Sequence, residues 1–262
     1  MNGDREFEVA LDAARMAGEV LRRHFAEGTT VWGKESHNLV SAADLEAERL
    51  IAETIRDAFP LHSILGEEEQ AGDLTAEHLW VVDPLDGTNN FAHGLPQCAV
   101  SIAYCHNQQT HCGVIYDPFR DELYTARKGG QAYKNDQPIS VGRQKQLNEA
   151  LVSVGFYYDR GKMMEATLDA IRDLFYEKIH GIRRFGAAAL DLCGVACGQY
   201  GAFFEYQLSP WDFAAGRLIV EAAGGQVTTA RGTALPLQPT SILATNGMLH
   251  AAMLAIIERH HP

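Results

Sequence analysis

Two carboxylates three residues apart, Asp83 and Asp86, follow the apolar run Leu79-Trp80-Val81-Val82 in the segment Asp83-Pro84-Leu85-Asp86-Gly87-Thr88. Pro84 fixes φ and Gly87 tolerates a left-handed or closely approached backbone, so a Pro/Gly turn after a strand would fold both side chains toward one cation. Hard oxygen ligands of this kind suit Mg²⁺ or Ca²⁺ better than Zn²⁺. Thr88-Asn89-Asn90-Phe91 reads as a helix start, whose N–H groups form an anion site beside such a metal. An Asx-type turn, in which Asp83 and Asp86 bond only local N–H groups, would use the same residues.

Three further acids share this character, each with a plainer alternative. Ser63-Ile64-Leu65 predicts a short strand that delivers Glu67, in Gly66-Glu67-Glu68-Glu69, to a strand end; a solvated acidic loop is the alternative. In Ser209-Pro210-Trp211-Asp212, Ser209 is placed to be an N-cap, Pro210 the first helical residue and Asp212 a first-turn acid. Asp44 stands at the entrance of a helix expected to run to Ala58, where an acid also complements the dipole.

Taken together these segments resemble the inositol monophosphatase family of Mg²⁺-dependent, lithium-sensitive phosphatases, particularly its bacterial members. The resemblance rests on Trp80-Val81-Val82-Asp83-Pro84-Leu85-Asp86-Gly87-Thr88-Asn89-Asn90-Phe91, on Pro210-Trp211-Asp212-Phe213-Ala214-Ala215-Gly216 and on Gly66-Glu67-Glu68. It implies that Glu67, Asp83 and the Leu85 carbonyl hold one Mg²⁺, that Asp83, Asp86 and Asp212 hold a second, and that a third, weaker ion rests mainly on Glu67 and water. Thr88 with Asp44 would orient the attacking water, and Glu68 would stand behind the ligands. Glu205, seven residues before Asp212, matches a carboxylate that accepts hydrogen bonds from inositol hydroxyls, and Gly186-Ala187-Ala188-Ala189 matches a substrate-pocket segment. The chain departs from the animal pattern at Ala187, where a Thr would offer a hydroxyl. Arg183 and Arg184 could face a phosphate or an acidic neighbouring subunit and Lys34 could approach the site, though each also reads as a solvated basic side chain.

Phosphate monoester hydrolysis explains why such a cluster is needed, because the uncatalysed reaction is extremely slow and the main task is to neutralise and align charge. Paired ions would activate water and stabilise the departing alkoxide, while the Gly87 and Thr88 N–H groups could hold a phosphate oxygen at the helix start. The chain presents no convincing Ser/His or Cys/His constellation for a side-chain nucleophile. The expected reaction is hydrolysis of inositol 1-phosphate. Histidinol phosphate, fructose 1,6-bisphosphate and adenosine 3′,5′-bisphosphate are alternative substrates of related metal sites, and a regulatory partnership with bacterial RNA polymerase is an alternative of another class. A homodimer is implied by the resemblance alone.

The elements that must position these residues divide into two patterns. Residues 1–148 read as an α+β lobe: an amphipathic helix over Val9 to Phe25, a hairpin of Thr30-Val31-Trp32 with Leu39-Val40, and the helix after Asp44. Strands follow near Leu79 to Val82, Ala99 to Tyr104, His111 to Tyr116 and Glu122 to Thr125. Residues 149–262 alternate strands and helices (Leu151 to Val154, Met163 to Phe175, His180 to Arg183, Ala187 to Cys197, Ala202 to Phe204, Trp211 to Ala223), which favours an α/β lobe. The two lobes would form one catalytic unit, since Asp83 and Asp86 must meet Asp212. The family fold is a layered αβαβα sandwich of the sugar-phosphatase type.

With 262 residues, 46% of them hydrophobic, the chain can bury one large core or two fused lobes, and disorder is disfavoured. Twenty-two basic against 34 acidic side chains give a net charge of −12, which disfavours a general nucleic-acid surface. No apolar run approaches membrane-spanning length and no basic-then-apolar leader opens the chain, so a cytoplasmic location is expected. Five cysteines without paired ligand spacing agree with a reducing compartment, and Cys193 and Cys197 read as buried small side chains. The eleven histidines are scattered along the sequence, and His260-His261 reads as a solvated tail.

Overall fold

The computed structural model describes residues 4–35 and 38–262; the side chains of residues 32, 34, 35 and 38–40 lie outside that description, Lys34 among them. The apolar spacing of the N-terminal segment produces helix α1, Asp4–Glu27, whose alanines at 10, 13, 14 and 17 are buried. Their small size lets it lie close against α2, Ala42–Ala58. Between the two helices run the paired strands β1, Val31–Glu35, and β2, Asn38–Ser41.

Both helices cover one face of a seven-stranded sheet. It consists of β3 (Ser63–Gly66), β4 (His78–Asp86), β5 (Ala99–His106), β6 (Gln109–Asp117), β7 (Glu122–Arg127), β8 (Tyr133–Lys134) and β9 (Gln137–Pro138), in that spatial order. Only the β3–β4 pair is parallel. The single-turn helix α3, Thr88–Ala92, follows β4. Strand alternation sorts the side chains: Trp80 and Val82 pack toward α1 and α2, while Leu79 and Val81 face the other way.

That second face carries α5 (Ala188–Ala196) and α6 (Pro210–Ala222), whose other side meets a five-stranded sheet. Its spatial order is β11 (Gly181–Arg183), β10 (Leu151–Val154), β12 (Ala202–Leu208), β14 (Thr240–Thr245) and β13 (Gln226–Thr228). A fifth layer, α4 (Lys162–Tyr176) with α7 (His250–Ile257), closes its outer face over Phe204, Tyr206 and Leu243. The layers therefore run α, β, α, β, α, as the resemblance implies. Helix α5 is buried along its whole length, consistent with a helix flanked by sheets on both sides.

Alternation of helices and strands favours an α/β lobe in the second half, and the structure has one there, built on a mixed sheet: β10 runs parallel to β11 and β12, whereas β14 is antiparallel to both β12 and β13. Strands β13 and β14 had no strong periodic signal, because their residues gain their environment from β12 and not from local pattern. The terminal histidines also depart from expectation. His260 Nε2 lies 2.8 Å from Asp173 Oδ2, and His261 Nε2 lies 3.1 Å from Ser241 Oγ with its ring edge-on to Tyr206. No helix among the described residues is long and apolar enough to cross a membrane.

Candidate active site

The strand β4 does not stop before the two aspartates but runs through them, so the expected turn is a bulged strand end. Three residues of β4, from Asp83 to Asp86, advance against two of β5, from Ser101 to Ala99. On a regular strand, side chains three apart point to opposite faces; one extra residue brings Asp86 to the side already occupied by Asp83. Pro84 sits within the bulge, where a missing N–H costs no ladder bond. Gly87 then adopts φ 98°, a left-handed conformation that strains any side chain, and starts α3. With only five residues, α3 carries little macrodipole, so individual N–H groups and not a long helix would hold an anion.

Local bonding of the Asx type coexists with convergence. Asp83 Oδ1 accepts the Leu85 N–H at 3.0 Å, and Asp86 Oδ2 accepts the Ala189 N–H at 2.7 Å. The second bond serves as an N-terminal cap for α5, whose own capping position is Ala187 and supplies no side-chain acceptor. Asp212 stands at the third position of α6 in a capping box, its Oδ2 accepting the Ser209 N–H at 2.7 Å. One carboxylate oxygen from each of Asp83, Asp86 and Asp212 falls within 4.8 Å of the others.

The three face a cleft of ≈ 180 Å³ that is also lined by Glu67, Leu85, Gly87, Thr88, Asn89, Gly186, Ala188 and Glu205. All the expected metal ligands and Thr88 line this cleft, whereas Asp44 is fully buried one contact behind it and Glu68 and Ala189 are not among its lining residues. Asp44 Oδ1 lies 3.0 Å from the Thr88 hydroxyl, which is also 3.1 Å from the Leu85 carbonyl, while Asp44 Oδ2 accepts from the Ser41 N–H and hydroxyl at 2.8 and 2.5 Å. Ser41 and Asp44 thus form the capping box that starts α2. Glu205 follows Phe203 on the inward side of β12, immediately before a second bulge. A Cβ on Gly155 would lie 1.7 Å from Glu205 Oε2, so glycine is required beneath that carboxylate.

Six carboxylates line the cleft (Glu67, Asp83, Asp86, Asp191, Glu205 and Asp212), against one cationic side chain among the described residues, Arg184. Burial, and then the charges of Glu67, Asp86 and Asp212, push the Asp83 carboxyl well above its ordinary range. Asp86 is pushed up to about 6 by burial, opposed by the Ala189 and Ala188 N–H groups. Asp212 reaches about 7 through burial and the charge of Asp86, opposed by the Ser209 N–H. Glu205 is raised well above its usual value by burial and by Asp212, with Arg184 opposing. Burial also raises Asp44, against its bonds from Ser41 and Thr88. Carboxyls raised in this way favour their protonated forms, and a dication bound among them would have to displace those protons.

Four participants were not legible beforehand. Glu48, fully buried on α2, accepts the N–H groups of Glu68, Glu69 and Gln70 at 2.8, 2.6 and 2.9 Å and so fixes the loop carrying Glu67. Its signal was an acid on the apolar face of a helix, in line with Ala47, Ile51 and Ile55. Asn90 Nδ2 donates to the Gln97 and Phe185 carbonyls at 2.8 and 2.7 Å, tying α3 to the segment before Gly186. Asp191, pushed up to about 8 by burial, pairs with the Ser153 hydroxyl and lines the cleft. Tyr158 lines it from the loop after β10. Of the two arginines, Arg184 lines the cleft, while Arg183 is exposed on β11 with its guanidinium 3.0 Å from the Ile182 carbonyl.

A five-layer αβαβα sandwich with an acid-lined cleft at bulged strand ends defines the chain as a protein of the sugar-phosphatase type. A model of the inositol monophosphatase family matches residues 4–261, and the chain belongs to that family. An inositol-1-monophosphatase of Rhizobium meliloti is 40% identical over 258 residues, covering 97% of this chain and 96% of that protein. The Nus factor SuhB of Pseudomonas aeruginosa is 40% identical over 262 residues, covering 97% and 96%. The solved inositol monophosphatase of Anabaena superposes with a TM-score of 0.88 at 38% identity, covering 99% of this chain and 97% of that one. Family and relatives alike indicate a phosphatase.

Proposed function

We propose that the chain is a Mg²⁺-dependent phosphomonoesterase that hydrolyses inositol 1-phosphate or a close relative to the free alcohol and phosphate. The observation that carries this reading is the lining of the cleft: six carboxyl groups face one arginine, so a phosphate ester would need cations among them to replace their protons and balance its charge. The donor set fits hard dications, since it consists of carboxylates and a carbonyl with three carboxylate oxygens within 4.8 Å. Glu67, Asp83, the Leu85 carbonyl, Asp86 and Asp212 would hold two or three ions. When bound, such ions neutralise the phosphate, activate water and stabilise the departing oxygen.

The chain's own groups complete the chemistry. The Thr88 hydroxyl, held between Asp44 and the Leu85 carbonyl, orients the attacking water, and the raised pKa of Asp44 suits it to receive a proton through that hydroxyl. The Gly87 and Thr88 N–H groups hold a phosphate oxygen. Glu205 accepts hydrogen bonds from the polyol hydroxyls, and Gly186 and Ala188 shape the space they enter. Residues 1–148 and 149–262 act as one catalytic unit in a cytoplasmic homodimer, a state that light scattering would check.

Phosphate release from inositol 1-phosphate, histidinol phosphate, fructose 1,6-bisphosphate and adenosine 3′,5′-bisphosphate tests the proposal. We expect preference for the first, abolition by EDTA, and a loss on the order of 10³-fold in Asp83→Asn, equivalent to about 4 kcal/mol of barrier. Full activity in EDTA or in Asp83→Asn would refute the mechanism; preference for another ester would move the substrate assignment. The 40% identity with the Nus factor SuhB of Pseudomonas aeruginosa favours a second reading, a regulatory partnership with the transcription machinery. Recovery of RNA polymerase or its elongation factors on the immobilised protein would support it, and their absence would count against it.

A further inference from the structure

Four histidines, His62 just before β3 and His78, His106 and His111 on β4, β5 and β6, meet at the end of the seven-stranded sheet remote from the cleft. His62 stacks on His78 with ring centroids 4.4 Å apart, His78 on His106 at 4.9 Å, and His111 meets His106 edge-on at 5.5 Å. His78 and His106 are direct cross-strand partners on β4 and β5. Beside them, Glu77 Oε1 lies 3.3 Å from His106 Nε2. One ligand atom from each of Glu77, His78 and His106 falls within 4.8 Å of the others, a spacing that a first-row ion closes by side-chain rotation.

The surroundings set the imidazoles for this. The Tyr104 hydroxyl is 2.6 Å from His78 Nδ1; when that oxygen accepts the Nδ1 proton, Nε2 keeps its lone pair for a ligand bond. Trp80 Nε1 can only donate, and it reaches His62 Nδ1 at 3.1 Å, which makes His62 a stacking wall that orients His78. Backbone pairing on two adjacent strands holds both ligating rings in place.

We propose that Glu77, His78 and His106 form a binding site for a first-row transition dication of the Zn²⁺ or Ni²⁺ class, distinct from the carboxylate cleft. Two imidazoles and one carboxylate with open positions select such ions, whereas Mg²⁺ favours oxygen donors. His78 and Asp83 are five residues apart on one strand, about 17 Å, so the site is separate from the cleft. An ion there clips β4 to β5 at the end opposite the bulge.

The test is titration of the full chain in excess Mg²⁺ with Zn²⁺ and with Ni²⁺, read by competition with a chromogenic chelator. The background carries His260→Ala and His261→Ala, so that the terminal pair contributes nothing. One equivalent should bind, weakened about 100-fold by His106→Ala and about tenfold by Tyr104→Phe, which removes only the phenolic oxygen. Glu77→Gln, on an exposed side chain, gives a second ligand variant that leaves folding intact, and it too should weaken binding. Unchanged phosphate release and thermal midpoint in these variants keep the loss specific. Affinity equal in wild type, His106→Ala and Glu77→Gln, displacement by Mg²⁺, or no stoichiometric binding would overturn the proposal and leave the histidines as a stacked surface cluster.

Discussion

Thr88 shows how one side chain can join two parts of a site. Its hydroxyl reaches both Asp44 on α2 and the Leu85 carbonyl at the end of β4. Thr88→Ala removes the oxygen but leaves fold and charge in place, so kcat should fall by about 10²- to 10⁴-fold with KM little changed; steady-state kinetics with saturating Mg²⁺ would read the split. Asp212 supplies a pH prediction. Its folded value, about 7, lies above the ordinary 3.8, so the metal-free folded protein binds its proton more readily than the unfolded chain does. That contribution to stability is present below the unfolded value and is lost as pH rises through about 7. Thermal unfolding in EDTA should show this loss, and Asp212→Asn should flatten it. Because dications compete with the same protons, Mg²⁺ affinity should increase as pH rises from about 6, the value for Asp86, through about 7.

At the scale of elements, α2 anchors two parts of the site from one face. Asp44 and Glu48 are four residues apart, hence neighbours on the helix; the first holds Thr88 and the second holds the backbone of residues 68–70. Glu48→Ala would strand three N–H groups that now share one carboxylate. We expect a loss of about 2–4 kcal/mol in urea unfolding, together with weaker Mg²⁺ binding as the Glu67 loop loosens. Unchanged Mg²⁺ affinity in that variant would show that the loop holds its shape without Glu48. The bulge in β4 acts similarly at the element level, turning Asp86 toward the layer between the sheets, whereas Glu205 reaches that layer by the regular alternation of β12 ahead of its bulge.

At the scale of the whole molecule, α5 and α6 are the layer on which both sheets depend. Asp86 caps α5, Asp212 opens α6, and Phe203 packs into the same central core from β12, two residues before Glu205. Phe203 is fully buried, so Phe203→Ala should cost about 3–5 kcal/mol by urea unfolding. Its effect on activity should appear mainly as a raised KM, because the strand presenting Glu205 loses its support while the aspartates keep theirs. An unchanged KM would place Glu205 outside substrate recognition.

The sequence by itself determined a good deal about this protein: the acids at Asp83, Asp86 and Asp212, the cap Ser209 with Pro210 as the first helical residue, the left-handed Gly87, the main helices and the family. Each of these is local, written in turn chemistry, capping residues or apolar period within a short window. Tertiary structure decided what lies between windows. Asp86 meets Ala189 across 103 residues, Glu48 reaches a loop 20 residues away, and scattered histidines become neighbours only when β4 pairs with β5. The bulge that turns Asp86 to the side of Asp83 is a relation between two strands, and neither strand's own sequence contains it. Periodicity states which face of an element is apolar, but the partner that covers that face is chosen by packing, and that choice builds the cleft.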